Sequence, residues 1–203
     1  MCIRDRLKDV IIEDSLDGIG SDRYGDYLAH ALCLGGSCTF MFNGQNFEFE
    51  EGNLLIVRKG KLLDEISHSP DFIVRTLYVT APFIELCTPQ TNYGMKGQLS
   101  LFLNPVMKLD EGQRFVCERD FRWIDYRLNQ TNHTFYRELL INAVQSAILD
   151  FFDFHSVINK ESGVSTQNAS LMSRFLDMLE NGTFRHHREV CLLYTSPSPR
   201  DRG

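Results

Sequence analysis

The chain has 203 residues, 43% of them apolar, with 21 Lys and Arg against 27 Asp and Glu, a net charge of −6. That length holds one medium domain, or one domain and part of a second. The apolar share is enough for a core, no run approaches the roughly 18 apolar residues of a membrane span, and a surface of this sign repels phosphate, which argues against nucleic-acid binding by this chain alone.

The two ends stand apart from the rest. Met1–Asp5 can be encoded ATG TGT ATA AGA GAC. The reverse complement of that string, with one T in front, encodes Cys-Leu-Leu-Tyr-Thr and the start of Ser, which is the run Cys191–Ser196. Inverted copies of one short element resemble a transposon-derived sequencing adapter read as coding, so 1–6 and 191–203 are set aside from fold reasoning. Without Arg4, Arg6, Arg200, Arg202, Asp5 and Asp201 the counts fall to 17 basic and 25 acidic residues, a net charge of −8. Cys33, Cys38, Cys87 and Cys117 then remain, with no C-x-x-C pair and no His at ligand spacing. They read as buried free thiols of a reducing compartment, which points to the cytoplasm.

From 27 to 80 the chain is β-branched, aromatic and punctuated by Gly, the pattern of a small antiparallel barrel or sandwich of about six strands. Its sharpest piece is Ser37–Glu50. Asn43-Gly44 supplies the two positive φ angles of a type I′ turn, which sets Phe42 opposite Gln45, Phe40 opposite Phe47 and Cys38 opposite Phe49. Cys38, Phe40, Phe42, Phe47 and Phe49 then share one side; Thr39, Asn46, Glu48 and Glu50 take the wetter one, and Met41 breaks the pattern. Leu54–Val57 is apolar without a break, as in a strand buried on both faces. Leu62–Ser67 alternates weakly, and Phe72–Val79 is the longest strand candidate.

After Pro82 the pattern turns helical. Phe83–Cys87 predicts a short helical turn, Thr88–Gly97 a polar loop, and Leu99–Leu109, interrupted by Pro105, short strand pieces packed on the barrel. Asp110 is the expected N-cap of a helix to Leu128 with a stripe of Phe115, Cys117, Phe121, Ile124 and Leu128. Asn132 is the expected cap of a longer helix whose stripe comprises Phe135, Leu139, Leu140, Ala143, Val144, Ala147, Ile148, Phe151 and Phe152. Ala143 and Ala147 at the centre of that stripe let another helix come close, either the preceding helix or that of a second copy. Residues 159–170 read as a linker, and Leu171–Leu179 as a third helix ended by Asn181-Gly182.

No catalytic fingerprint occurs: Gly-x-Ser-x-Gly, His-Glu-x-x-His, the P-loop and the dinucleotide motif are all absent. The β-rich half offers only His30 and His68 for a metal, where converging ligands are needed, and both read as surface or core-edge residues. The expectation is no enzyme, no cofactor and no metal.

The run Gly35–Gln45 followed by Phe47–Val57 resembles the cupin-like effector domain of AraC-type transcription regulators. Asn132–Glu138 resembles the helical segment after that barrel, and Phe175–Glu180 with Arg185–Val190 resembles the start of the family's DNA-binding domain. The resemblance implies an α+β fold: a cupin-like antiparallel β-barrel of double-stranded β-helix or jelly-roll type, a helical hairpin, and the first helix of a truncated all-α domain. It divides the chain into a sensor and dimerisation domain at 7–158, the linker at 159–170 and the truncated helix-turn-helix domain at 171–190. It further implies a small effector in the barrel, with Phe40 and Phe47 as pocket candidates, though both read first as plain core. A homodimer would form through the helical hairpin at Ala143 and Ala147. Promoter DNA would be bound only by the untruncated protein, since both recognition helices would follow Val190. Two alternatives stay open: a cupin-fold sugar-binding module or enzyme without a DNA-binding domain, and an interaction domain whose barrel is filled.

Overall fold

The Asn43-Gly44 turn forms as its sequence requires, with φ of 51° and 77°, and the strands on either side pair in the expected register, Phe42 with Gln45, Phe40 with Phe47 and Cys38 with Phe49. This is a computed structural model, and it describes residues 9–58, 63–88 and 104–158. The expectations for 1–6, 159–170, 171–190 and 191–203, and for most of the 88–97 loop, fall outside those residues.

Eight strands and three helices are described. β1 (Val10–Glu13), β2 (Tyr27–Gly35), β3 (Ser37–Phe42), β4 (Gln45–Glu50), β5 (Asn53–Val57), β6 (Asp64–His68) and β7 (Ile73–Thr80) lead into α1 (Ala81–Cys87). β8 (Val106–Lys108), α2 (Glu111–Leu128) and α3 (Tyr136–Ile158) follow. The strands form two antiparallel sheets, one ordered β1-β7-β2-β5-β8 and the other β4-β3-β6. The expected closed barrel is therefore not formed: among the described residues no ladder joins the sheets, and the strands make an open sandwich. The chain passes between sheets at one corner, where the Glu51 N–H donates to the Gly36 carbonyl (3.1 Å) and the Gly52 N–H to that of Cys33 (2.9 Å). Gly36 makes that corner possible. Its φ is +67°, and a Cβ there would lie 2.6 Å from Ser69 Oγ and 2.7 Å from the Phe72 nitrogen.

The period of two along each central strand sorts side chains between two cores. Ala29, Ala31 and Cys33 of β2, Leu55 and Val57 of β5, and Val74 and Tyr78 of β7 meet Cys38, Phe40, Phe42 and Phe49 of the smaller sheet. Leu32, Leu54, Ile56, Leu77 and Val79 point the other way, against Phe83, Cys117, Phe121, Ile124, Val144 and Phe151 of the helices. The larger sheet is thus the middle of three layers, which explains why Leu54–Val57 carries no polar residue: all four are buried.

The helices form for local reasons. At α2, Asp110 accepts from the Gln113 backbone N–H (2.8 Å) while the Gln113 side chain accepts from that of Asp110 (3.0 Å), a complete capping box. Phe115 was expected on the buried stripe but is 65% exposed. It sits two residues, about 200°, from Cys117, so the two cannot share a face. α3 begins at Tyr136, four residues after the expected cap. The His133 ring accepts from the Phe135 N–H (3.0 Å) and holds 131–135 in turns, which leaves Phe135 exposed. β1 was not expected at all. The segment after it, 14–26, runs through successive turns that bury Leu16, Ile19 and Tyr24 against the sandwich, tied down by the Thr76 hydroxyl donating to the Ser15 carbonyl (2.8 Å).

Candidate functional site

Phe40 and Phe47 lie where their alternation places them, on the inner side of the β3-β4 ribbon. Phe40 is buried and Phe47 half-buried, with ring centroids 5.9 Å apart and Phe42 set edge-on to Phe47 at 6.2 Å. Phe49 and Phe72 continue the packing at 6.3 Å. These rings fill their part of the sandwich.

A crevice too narrow to admit a water molecule lies elsewhere, lined by Ile19, Gly20, Tyr24, Tyr27, Ala29, Val57, Arg58 and Tyr78. Three phenols meet there. Tyr24 stacks on Tyr78 at 4.5 Å and meets Tyr27 edge-on at 5.4 Å. The Tyr24 hydroxyl donates to Glu13 Oε1 (2.5 Å), and burial first, then that carboxylate, pushes its pKa up to about 12. Glu13 also faces Arg23 at 3.6 Å. The Tyr78 hydroxyl is sealed against the Gly18 backbone, a contact that provides no hydrogen bond of regular geometry; burial raises this phenol strongly. Gly18 is fixed by the same rings, since a Cβ there would stand 2.5 Å from both Tyr24 Cδ2 and Tyr78 Oη. As it stands the crevice holds no ligand-sized space, so a small molecule would reach the Tyr78 hydroxyl only by parting the rings; a buried hydroxyl without a partner costs about 1–3 kcal/mol until it finds one.

Ala143 and Ala147 do not face outward. Both are buried inside the protomer, with Leu140, Val144, Ile148 and Phe151, against α2 and the larger sheet. The outer face of the helical hairpin carries other residues: Phe115, Trp123 and Tyr126 of α2 and Leu149 of α3 are exposed. Trp123 and Tyr126 stack at 5.3 Å, with the Arg127 guanidinium 4.2 Å from the indole centroid. A groove beside them is lined by Arg119, Asp120, Arg122, Trp123 and Ser146.

Sequence reasoning missed two buried polar groups. His30 is fully enclosed on the helix side of β2, stacked on Phe151 at 5.7 Å, and burial lowers its pKa to about 4. It is a core residue, not a surface or edge one. Asp120 is only 4% exposed and lies on the packed face of α2. An acid three residues after Cys117 and four before Ile124 breaks that stripe, a signal present in the sequence. His68 is exposed on β6, stacked on Phe72 at 5.6 Å. Among the described residues no three His, Cys, Asp or Glu converge as metal ligands, and Cys33, Cys38, Cys87 and Cys117 are free and buried. Burial raises all four thiols, Cys38 and Cys87 to about 11. No helix among the described residues is long and apolar enough to cross a membrane.

No protein-family model matches the chain, and no curated protein sequence matches it. Among solved structures it is similar to the crystal structure of the AraC-like transcriptional activator CuxR, with a TM-score of 0.45 and 11% sequence identity over 81% of this chain. The chain spans 66% of that structure's length.

Proposed function

We propose that this chain is the sensory and dimerisation part of a cytoplasmic AraC-type transcription regulator, binding a small effector without converting it. The sequence resemblance over Gly35–Val57 supports the family, and the strand-then-helical-hairpin order agrees with it. The observation that carries the sensor reading is on β7. Tyr78 packs in the sandwich core with an unpartnered hydroxyl while its neighbours Leu77 and Val79 pack under the helices. One strand therefore touches both the sandwich interior, where an effector would part the stack of Tyr24 on Tyr78, and the layer through which two copies would associate. In the dimer, the exposed Phe115, Trp123 and Tyr126 take the role first expected of the alanines. Promoter DNA would be bound by the intact regulator rather than by this sensory part.

A thermal-shift panel of small metabolites tests the sensor. At least one stabilises the chain, and Tyr78→Phe removes that stabilisation while leaving the unliganded melting temperature unchanged or higher. No stabilisation by any metabolite leaves the filled interaction domain as the reading. Sequencing the genomic locus past the codon for Val190 tests the regulator: two helix-turn-helix units are expected, and an early stop codon favours a small-molecule binding module instead.

A further inference from the structure

We infer that Asp120 and Asp150 form a proton-sharing clamp between α2 and α3, so that the packing of the helical hairpin responds to acidification. The geometry is specific. Asp120 Oδ1 accepts two hydrogen bonds from Arg119, from Nη2 at 2.7 Å and Nε at 3.0 Å, and the same Nη2 donates to Asp150 Oδ2 at 3.0 Å. One guanidinium thus spans two carboxyl groups on different helices. Asp120 Oδ2 is sealed from solvent and receives no donor from the described residues. The shared Arg119 Nη2 brings the Asp150 carboxyl into the same cluster. Two carboxylates cannot satisfy one another as anions; with one proton between them, one donates and the other accepts. Burial, reinforced by Asp150 and opposed by Arg119, raises the Asp120 carboxyl to about 6.

The surrounding groups offer no substitute for that proton. On α2, Cys117 is a thiol whose own ionisation Asp120 and Asp150 suppress. Glu118 is held by Arg114 at 2.9 Å, and Arg114 also reaches Glu51 at 2.8 Å. Arg122 lines the groove. From the larger sheet, Arg75 approaches α2 at Asp125 (3.9 Å), and His30 lies against Phe151. α1 meets α3 at Cys87 and Ile141, where the thiol donates to the carbonyl. With the proton in place, the two carboxyl groups and Arg119 sum to neutrality. When it leaves to solvent, the cluster carries a net negative charge beside apolar Phe121 and Ala147, and opening of α2 from α3 becomes easier. The clamp belongs to the protomer, so its test needs neither effector nor DNA.

Amide hydrogen exchange of the full chain, corrected for intrinsic rates, reads the opening directly. Taken relative to Asp120→Asn at the same pH, whose amide can donate to Asp150 and in which the contribution of His30 is the same, the opening constant of amides in α2 and α3 is expected to rise by up to about tenfold between about pH 5 and pH 7.5, as linkage to one proton allows, while β2 and β7 change less. Asp150→Asn should hold that same ratio near its acid value throughout. Carbon-13 titration of the wild-type carboxyl groups gives a second readout, in which Asp120 titrates near 6. A wild-type to Asp120→Asn ratio that does not change with pH, or an Asp120 that is fully ionised by about pH 4.5, would overturn the clamp.

Discussion

Alanine at position 18 would place a methyl 2.5 Å from two stacked phenols. Neither ring can swing away, because Tyr24 is held by Glu13 and Tyr78 is buried in the sandwich core. Gly18→Ala is therefore expected to lose about 1–3 kcal/mol, the usual cost of overpacking, seen as a lower urea midpoint with an unchanged slope. Asp110→Ala removes the capping box of α2 and is expected to cost about 1 kcal/mol by the same measurement; no change would show that the helix start is held by packing instead. The two residues differ in how visible they were. Asp110 followed three residues later by Gln113 is a local pattern, readable without the fold. Gly18 matters because of Tyr78, sixty residues away, and no local rule connects them.

Elements were legible where one periodicity ruled. The β3-β4 ribbon alternates strictly around Asn-Gly, and its register follows from the turn alone. α2 follows from its cap. By contrast β1 has four residues, and the 14–26 segment buries Leu16, Ile19 and Tyr24 with neither a period of two nor one of 3.6, so it reads as loop. The inward direction of Ala143 and Ala147 was also hidden, because the apolar stripe of α3 is wide enough to serve either a sheet or a second copy. Its placement reverses the expected result of mutation. Ala147→Glu buries a charge against α2 and should unfold the hairpin rather than dissociate a dimer. Trp123→Glu, on the exposed face, is expected to leave the melting temperature within a few degrees and to shift sedimentation toward monomer. If Trp123→Glu leaves the sedimentation profile untouched, this face is not the interface.

At the scale of the whole molecule two buried groups oppose one another as pH changes. His30 has its folded pKa lowered, to about 4, so it favours folding when neutral, and that contribution is lost as pH falls from about 6.5 toward 4. Asp120 has its folded pKa raised, to about 6, so its contribution is present in acid and is lost as pH rises from about 3.8 through 6. Between pH 4 and 6 the two slopes have opposite sign, and the stability of the wild-type chain should vary little there from these groups. Asp120→Asn unmasks His30, and stability should then rise with pH by up to about 1.4 kcal/mol per unit over that range. A flat profile in this variant would mean that His30 is not buried as a neutral ring. Neither group was identified in the sequence as functional, since a histidine in an apolar strand and an aspartate in a helical stripe acquire their properties only when the middle sheet and the two helices close over them.

The outer strand of the smaller sheet has a bearing on how the chain behaves in a crowded solution. All five residues of β6 are exposed, Glu65 stands at a φ of 51°, and the pairing with β3 slips between Thr39 and Met41. A non-glycine residue held in the left-handed region and a slipped ladder spoil the straight row of amides and carbonyls that another strand would need as a template. Asp64 and Glu65 add negative charge to the same edge. This edge therefore discourages runaway strand addition at the β6 side of the smaller sheet.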